Sequence, residues 1–138
     1  MAEVKVQIRQ VGPSTSEAAL PRGHTTLVDR PAAKGGADKG PMGGEYFLTA
    51  VGGCFMSTLL AAINAREAPV SNVQTEVTGT LGGEPTVFES VSLHVSADCE
   101  DEELLRHLVD IAERGCIMVN SLKRGVDFSV GVGAASPA

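Results

Sequence analysis

GGEYFLTAVGGCFMSTLLAAINAR, residues 43–66, decides how this chain folds. Between Glu45 and Arg66 it carries twenty consecutive residues without a formal charge, with a cysteine near their middle. Leu48, Ala50, Leu59, Leu60, Ala61 and Ala62 favour a helix over a strand, and about twenty helical residues span about 30 Å. Phe47, Val51, Phe55, Met56, Leu59, Leu60 and Ile63 go most of the way round that helix, so the expectation is a buried rod. A bilayer is one way to bury it. Thr49, Gly52, Gly53, Ser57, Thr58 and Asn64 dilute the run, and no basic cluster flanks it, which argues for a protein core and against a membrane. Gly52 and Gly53 each cost about 1 kcal/mol in a helix interior, so they read as a kink or as a close-packing surface directly before Cys54.

Working outward, the 138 residues suffice for one domain, 1–138, with an aliphatic core, since only five are aromatic. The net charge is −6, and Asp98, Glu100, Asp101, Glu102 and Glu103 hold most of it, leaving a nearly neutral remainder. No basic stripe with interleaved aromatics is present, so nucleic acid is not an expected partner. MAEVKVQIRQ alternates and is charged, unlike a signal peptide, and the expected location is cytoplasmic. Three cysteines, at 54, 99 and 116, with no CxxC, make neither a disulfide scaffold nor a zinc site. His24, His94 and His107 lack ligand-like spacing, so no metal is expected. GxSxG, GxGxxG and Walker loops are all missing, which leaves hydrolase and nucleotide chemistry without a handle.

On the N-terminal side, Val4, Val6 and Ile8 alternate with charged and polar residues as a half-exposed strand. Thr15–Ala19 and His24–Asp29 are two more, punctuated by Gly12-Pro13 and Pro21-Arg22-Gly23 into an antiparallel meander. The loop from Arg30 to Gly44 is rich in glycine, and its length hints at function. After the helix, alternation through Val73, Thr75, Val77, Gly79 and Leu81, a turn at Gly82-Gly83, and a run from Phe88 to Ala97 predict a strand pair. Asp98 opens an amphipathic helix with Leu104, Leu108, Ile111 and Ala112 on one face, ending near Gly115. Ile117–Lys123 adds a helical turn or two, Val126–Val132 reads as a closing strand, and Ala134–Ala138 as a tail.

Cys54 and Cys116 stand at element junctions and are the candidates for chemistry, against the plain alternative that each is a small buried hydrophobe. A break at Gly52-Gly53 would put Cys54 at a fresh helix N-terminus, where free N–H groups lower a thiol pKa. Cys99, among acids that oppose a thiolate, is assigned no role.

DRPAAKGGADKGPMGGEYFLTAVGGCF, then paired strands, then DEELLRHLVDIAERGCIMVNSL, resembles the OsmC/Ohr family of thiol-dependent peroxidases from about Leu27 to Leu122. The resemblance implies an α+β fold in which antiparallel sheets wrap a long central helix within an intertwined homodimer. It implies that Cys54 is the peroxidatic and Cys116 the resolving cysteine, joined on oxidation within one chain. Organic hydroperoxides would be the substrates, a dithiol reductant such as a lipoylated protein the partner, and no cofactor would be needed. Glu45 matches a family glutamate, Gly44 stands where another is usual, and Ile117 replaces a frequent proline. Arg30, ahead of Arg22, is the candidate for activating the thiolate. Tyr46, Phe47, Phe55 and Met56 are the apolar residues expected to line a substrate pocket. The alternative function is an OsmC-like binding module for a small apolar ligand, with both thiols merely packed.

Overall fold

The computed structural model describes residues 2–133. The chain forms two compact units, Met1–Gly52 with Glu76–His94, and Gly53–Thr75 with Val95–Ala138. One helix and two long strands contribute to both, so neither unit is continuous in sequence.

The first unit holds a three-stranded antiparallel sheet, β1 (Gln7–Gln10), β2 (Ser16–Ala19) and β3 (Thr25–Val28), in the order β1-β2-β3. The expected meander is therefore present, with Ile8 opposite Ala18 and Ala18 opposite Thr26. Its first strand is displaced: the ladder begins at Gln7 rather than Val4 and extends to Gln10. The register explains this, because Gln7 pairs with Ala19, and only Leu20 separates Ala19 from Pro21, which has no N–H to continue a ladder. At that corner Arg22 (φ 65°) and Gly23 (φ 83°) turn the chain left-handed, and the Leu20 N–H donates to the His24 carbonyl at 2.8 Å.

Helix α1 (Gly43–Ala65) is continuous through both glycines. The kink is thus excluded and close packing accepted: a Cβ on Gly52 would lie 2.5 Å from Val77 Cγ2, whereas one on Gly53 would meet nothing. Burial of α1 all round is not seen within one chain. Within this chain one stripe, Val51, Phe55, Leu59, Ala62 and Ile63, is buried, while Leu60 stays 41% exposed. By length and composition alone α1 could cross a membrane, and 28% of its most apolar window is buried.

Strands β4 (Ser71–Gly82) and β5 (Val87–Asp98) pair with each other as expected. In the second unit, α2 (Glu102–Gly115) starts three residues later than its first acid suggests. The Asp101 side chain, not Asp98, accepts the Leu104 N–H and caps it. Helix α3 (Ile117–Arg124) follows Cys116 directly. Leu59, Leu108, Ala112 and Cys116 are fully buried and form the core here. The closing strand is not formed: residues 126–132 join no ladder among the described residues, since a strand without a partner edge has nowhere to place its backbone groups. The expected tail, Ala134–Ala138, lies outside the described residues.

Candidate active site

Two cysteines 62 positions apart meet in the second unit, with Cys116 Sγ 3.6 Å from Cys54 Sγ. Both are free thiols. Cys54 projects from the interior of α1, and Cys116 is the single residue between α2 and α3, where its carbonyl accepts the Asn120 N–H at 3.0 Å. Thr58, one turn beyond Cys54, closes the arrangement. Its hydroxyl donates to the Cys54 carbonyl at 3.0 Å. Its methyl faces Gly115, where an added Cβ would sit 3.5 Å away. A close approach of α1 to the α2–α3 junction thus places one sulfur against the other.

The pair is electrostatically unequal. Cys116 is wholly buried and Cys54 half-buried. Burial pushes the Cys116 thiol above its ordinary pKa; the N–H groups of Val119 and Met118 oppose that shift, and the neighbouring Cys54 reinforces it. Cys116 therefore keeps its proton near neutrality and donates it toward Cys54 Sγ. The helix terminus that a break at Gly52-Gly53 would give Cys54 does not exist, because α1 runs unbroken from Gly43 to Ala65 and the residue's N–H lies within the helical ladder. Cys99 sits apart in the α2 entry turn, its Sγ 3.1 Å from the Asp101 carbonyl.

The remaining expected residues divide between the units. Phe55 and Met56 share the second unit with the thiols, Phe55 buried in the core and Met56 half-buried with its sulfur 3.8 Å from Thr75 Oγ1. Tyr46, Phe47, Glu45, Arg30 and Arg22 belong to the first. There Tyr46 donates its hydroxyl to the Leu27 carbonyl at 2.6 Å, and Phe47 stacks on Phe88 with ring centroids 5.4 Å apart. The Glu45 carboxylate accepts the Met42 N–H at 2.8 Å, which caps α1. Arg30 and Arg22 are exposed and in no ion pair among the described residues.

One residue of this unit escaped the sequence reading. Asp29, 3% exposed, accepts hydrogen bonds from Thr15 Oγ1 at 2.8 Å and from the N–H groups of Arg30 and Lys39 at 2.7 and 3.2 Å. It thereby ties β3 to both ends of the glycine-rich loop. Burial raises its pKa, but the bonds from Thr15, Arg30, Lys39 and Ser14 together outweigh burial and hold the carboxyl well below the usual range. The loop and Glu45 line a cleft of about 440 Å³, mixed polar and apolar in its lining, which contains no thiol. Among the described residues no group of three or more His, Cys, Asp or Glu side chains could hold a metal ion.

A long helix bearing one thiol and a helix junction bearing the other, beside antiparallel sheets, define an α+β dithiol protein. The family described as OsmC-like protein matches residues 36–131, and the chain belongs to that family. Solved structures agree on the fold. An OsmC-like protein of unknown function from Vibrio cholerae is 16% identical, with a TM-score of 0.73 over 88% of this chain and 94% of that one. An organic hydroperoxide resistance protein from Elizabethkingia anophelis is 19% identical, with a TM-score of 0.70 over 89% of each chain. The organic hydroperoxide resistance protein OhrB of Bacillus subtilis is 21% identical, with a TM-score of 0.65 over 91% of this chain and 94% of that one. No curated protein matches the sequence significantly.

Proposed function

We propose that this protein is a thiol-dependent peroxidase that reduces organic hydroperoxides in oxidative stress defence. The observation that carries the reading is the 3.6 Å contact between two free thiols of unequal burial. Cys54, the more accessible sulfur, attacks the distal peroxide oxygen as thiolate; the O–O bond breaks, an alcohol leaves, and Cys54 becomes a sulfenic acid. Cys116 then attacks that sulfur, the S–O bond breaks, and water leaves with the thiol proton that burial has retained. The disulfide needs only a local approach of the two sulfurs to bonding distance. An external dithiol, of the kind a lipoylated protein carries, returns both cysteines to thiols by exchange. No cofactor enters this cycle. The membership of organic hydroperoxide resistance proteins in the same fold class supports the substrate class.

Arg30, then Arg22, and Glu45 are the supporting groups that the family resemblance implies. Alkylation rates of Cys54 against pH in Arg30→Ala, Arg22→Ala and Glu45→Gln test each of them. The homodimer belongs to the same reading, because α1 is apolar on faces that its own chain leaves open, and a second copy covers them as a protein core rather than a bilayer. The competing reading, a binding module with inert thiols, is favoured by Gly44 and by a Glu45 carboxylate spent on capping α1. Stopped-flow consumption of cumene hydroperoxide against hydrogen peroxide decides between them. The peroxidase consumes the organic substrate faster; the binding module consumes neither.

A further inference from the structure

One side chain in the second unit touches both backbones that carry the paired sulfurs. Thr58 stands one turn beyond Cys54 on α1; its hydroxyl donates to the Cys54 carbonyl at 3.0 Å, and its Cγ2 is the atom that a Cβ on Gly115 would meet, at 3.5 Å. Gly115 directly precedes Cys116. Helix stability does not ask for threonine here, since alanine is the better helix former and a bond back to the i−4 carbonyl weakens a helix slightly. Thr49 makes the same bond, to the Glu45 carbonyl at 2.8 Å, but from an exposed position. Thr58 is half-buried, with its methyl on the junction between α2 and α3.

That junction is held as one piece. Asn120, early in α3, donates its backbone N–H to the Cys116 carbonyl at 3.0 Å and its Nδ2 group to the Arg114 carbonyl at 3.0 Å, so the residues on both sides of Gly115 are tied to the same helix. On the other side, α1 is unbroken between Cys54 and Thr58. In a helix threonine divides between two rotamers according to the bond its hydroxyl makes to the preceding turn; the bond to Cys54 selects one of them and with it the direction of the methyl. Two stiff pieces of backbone thus meet across the Thr58 methyl, beside sulfurs 3.6 Å apart. A disulfide requires about 2.05 Å, so a small change in that spacing bears directly on whether the bond closes.

We infer that Thr58 is a positioning residue for disulfide formation: its methyl against Gly115 sets how closely Cys116 approaches Cys54. The inference deepens the peroxidase reading and rests on it for its place in turnover. Because its contacts are to the backbones on either side, Thr58 governs the second step, in which Cys116 Sγ bonds to Cys54 Sγ, the S–O bond breaks and water leaves. The first step, attack of the Cys54 thiolate on peroxide, needs no approach of Cys116 and does not depend on Thr58.

Two measurements test this on the unsubstituted chain and three variants: Thr58→Ser, which keeps the hydroxyl and removes the methyl, Thr58→Ala, which removes both and raises helix propensity, and Thr49→Ala, a control for the lost back-bond. Equilibration with reduced and oxidised glutathione, read by mass, gives the effective concentration of the thiol pair without any peroxide. Rapid mixing with cumene hydroperoxide gives the rates of Cys54 oxidation and of disulfide closure separately. Both Thr58 variants should lower the effective concentration and the closure rate by about 10- to 100-fold, while the Cys54 oxidation rate stays unchanged. Thr49→Ala should match the unsubstituted chain in all three. Closure in both Thr58 variants as fast as in the unsubstituted chain, or faster, overturns the inference and leaves the peroxidase reading standing. An equal loss in Thr49→Ala, or one shared equally by oxidation and closure, overturns it as well. If neither the unsubstituted chain nor any variant consumes hydroperoxide while the effective concentration falls at Thr58 alone, the positioning stands and the peroxidase reading falls.

Discussion

Around Cys54 and Cys116 burial outweighs the polar contacts: the sulfurs lie 3.6 Å apart, the N–H groups of Val119 and Met118 act on a fully buried Cys116 thiol, and an apolar core of Leu59, Leu108 and Ala112 belongs to the same unit. Around Asp29 polar contacts are dense, a carboxylate taking hydrogen bonds from Thr15, Arg30 and Lys39 with no unsatisfied buried side-chain atom among the described residues. The two regions hold titratable groups in opposite directions. Burial without enough compensating donors keeps Cys116 protonated, whereas burial with several donors keeps Asp29 ionised. The first arrangement holds a proton beside a second sulfur; the second holds a loop conformation. In the proposed peroxidase, reactivity and architecture fall to separate residues, and substitutions should separate them.

The largest effect is expected at the thiols. Cys54→Ser should reduce hydroperoxide turnover to the uncatalysed background, while Cys116→Ser should permit one oxidation and then stall unless a small dithiol is added. Cys99→Ser should match the unsubstituted rate; steady-state and single-turnover kinetics of the three variants check this. A loss of peroxide consumption in Cys99→Ser equal to that in Cys54→Ser would erase the distinction between the contacting pair and the third cysteine.

A smaller effect is expected at the helix glycines. Gly52→Ala drives a methyl to 2.5 Å from Val77 Cγ2 and should cost about 1–3 kcal/mol in denaturant unfolding. Gly53→Ala, whose Cβ meets nothing within its own chain, should cost less than Gly52→Ala. Equal costs at the two positions would contradict the packing.

The pH dependence should show opposite signs in the two regions. The Asp29 carboxyl is held below its ordinary value of 3.8, so its contribution to stability is complete above that value and is lost as pH falls toward the folded one. The Cys116 thiol is raised above its ordinary value of 9.0, so its contribution is complete below that value and is lost as pH rises. Asp29→Asn should flatten the acid limb of a Tm-against-pH profile and speed exchange in residues 30–41, with the alkaline limb unchanged. Cys116→Ser should flatten the alkaline limb alone. A single variant that altered both limbs equally would show that the regions are not independent.

Much of the fold could be read from alternation and apolar runs: the meander, α1, the β4–β5 pair and α2 are all present, with β1 displaced to Gln7–Gln10 and α2 starting at Glu102. Two sequence patterns find no counterpart within the single chain. Residues 126–132 have the strand pattern but no edge in this chain, and α1 has the composition of a buried rod but is covered on one stripe. Cys54 and Cys116 were legible because a thiol is chemically distinctive, whereas Asp29 was not, because an aspartate at a strand end is usually solvated and its burial follows from a loop folding back over it. Thr58 escaped for a similar reason, since its contact with Gly115 depends on how α1 meets the α2–α3 junction. Of the two uses left open for Gly52-Gly53, the structure selects close packing, with Gly52 against Val77, and the break that would have given Cys54 a helix terminus is absent.

The central claim is that the contacting thiols form the redox pair, and the most direct measurement is peptide mapping after one equivalent of cumene hydroperoxide. The account predicts loss of two thiols and one disulfide, Cys54 to Cys116 within a single chain, with Cys99 still free. Unchanged thiols, or Cys54 joined to Cys99 or to Cys116 of the other chain, would contradict it.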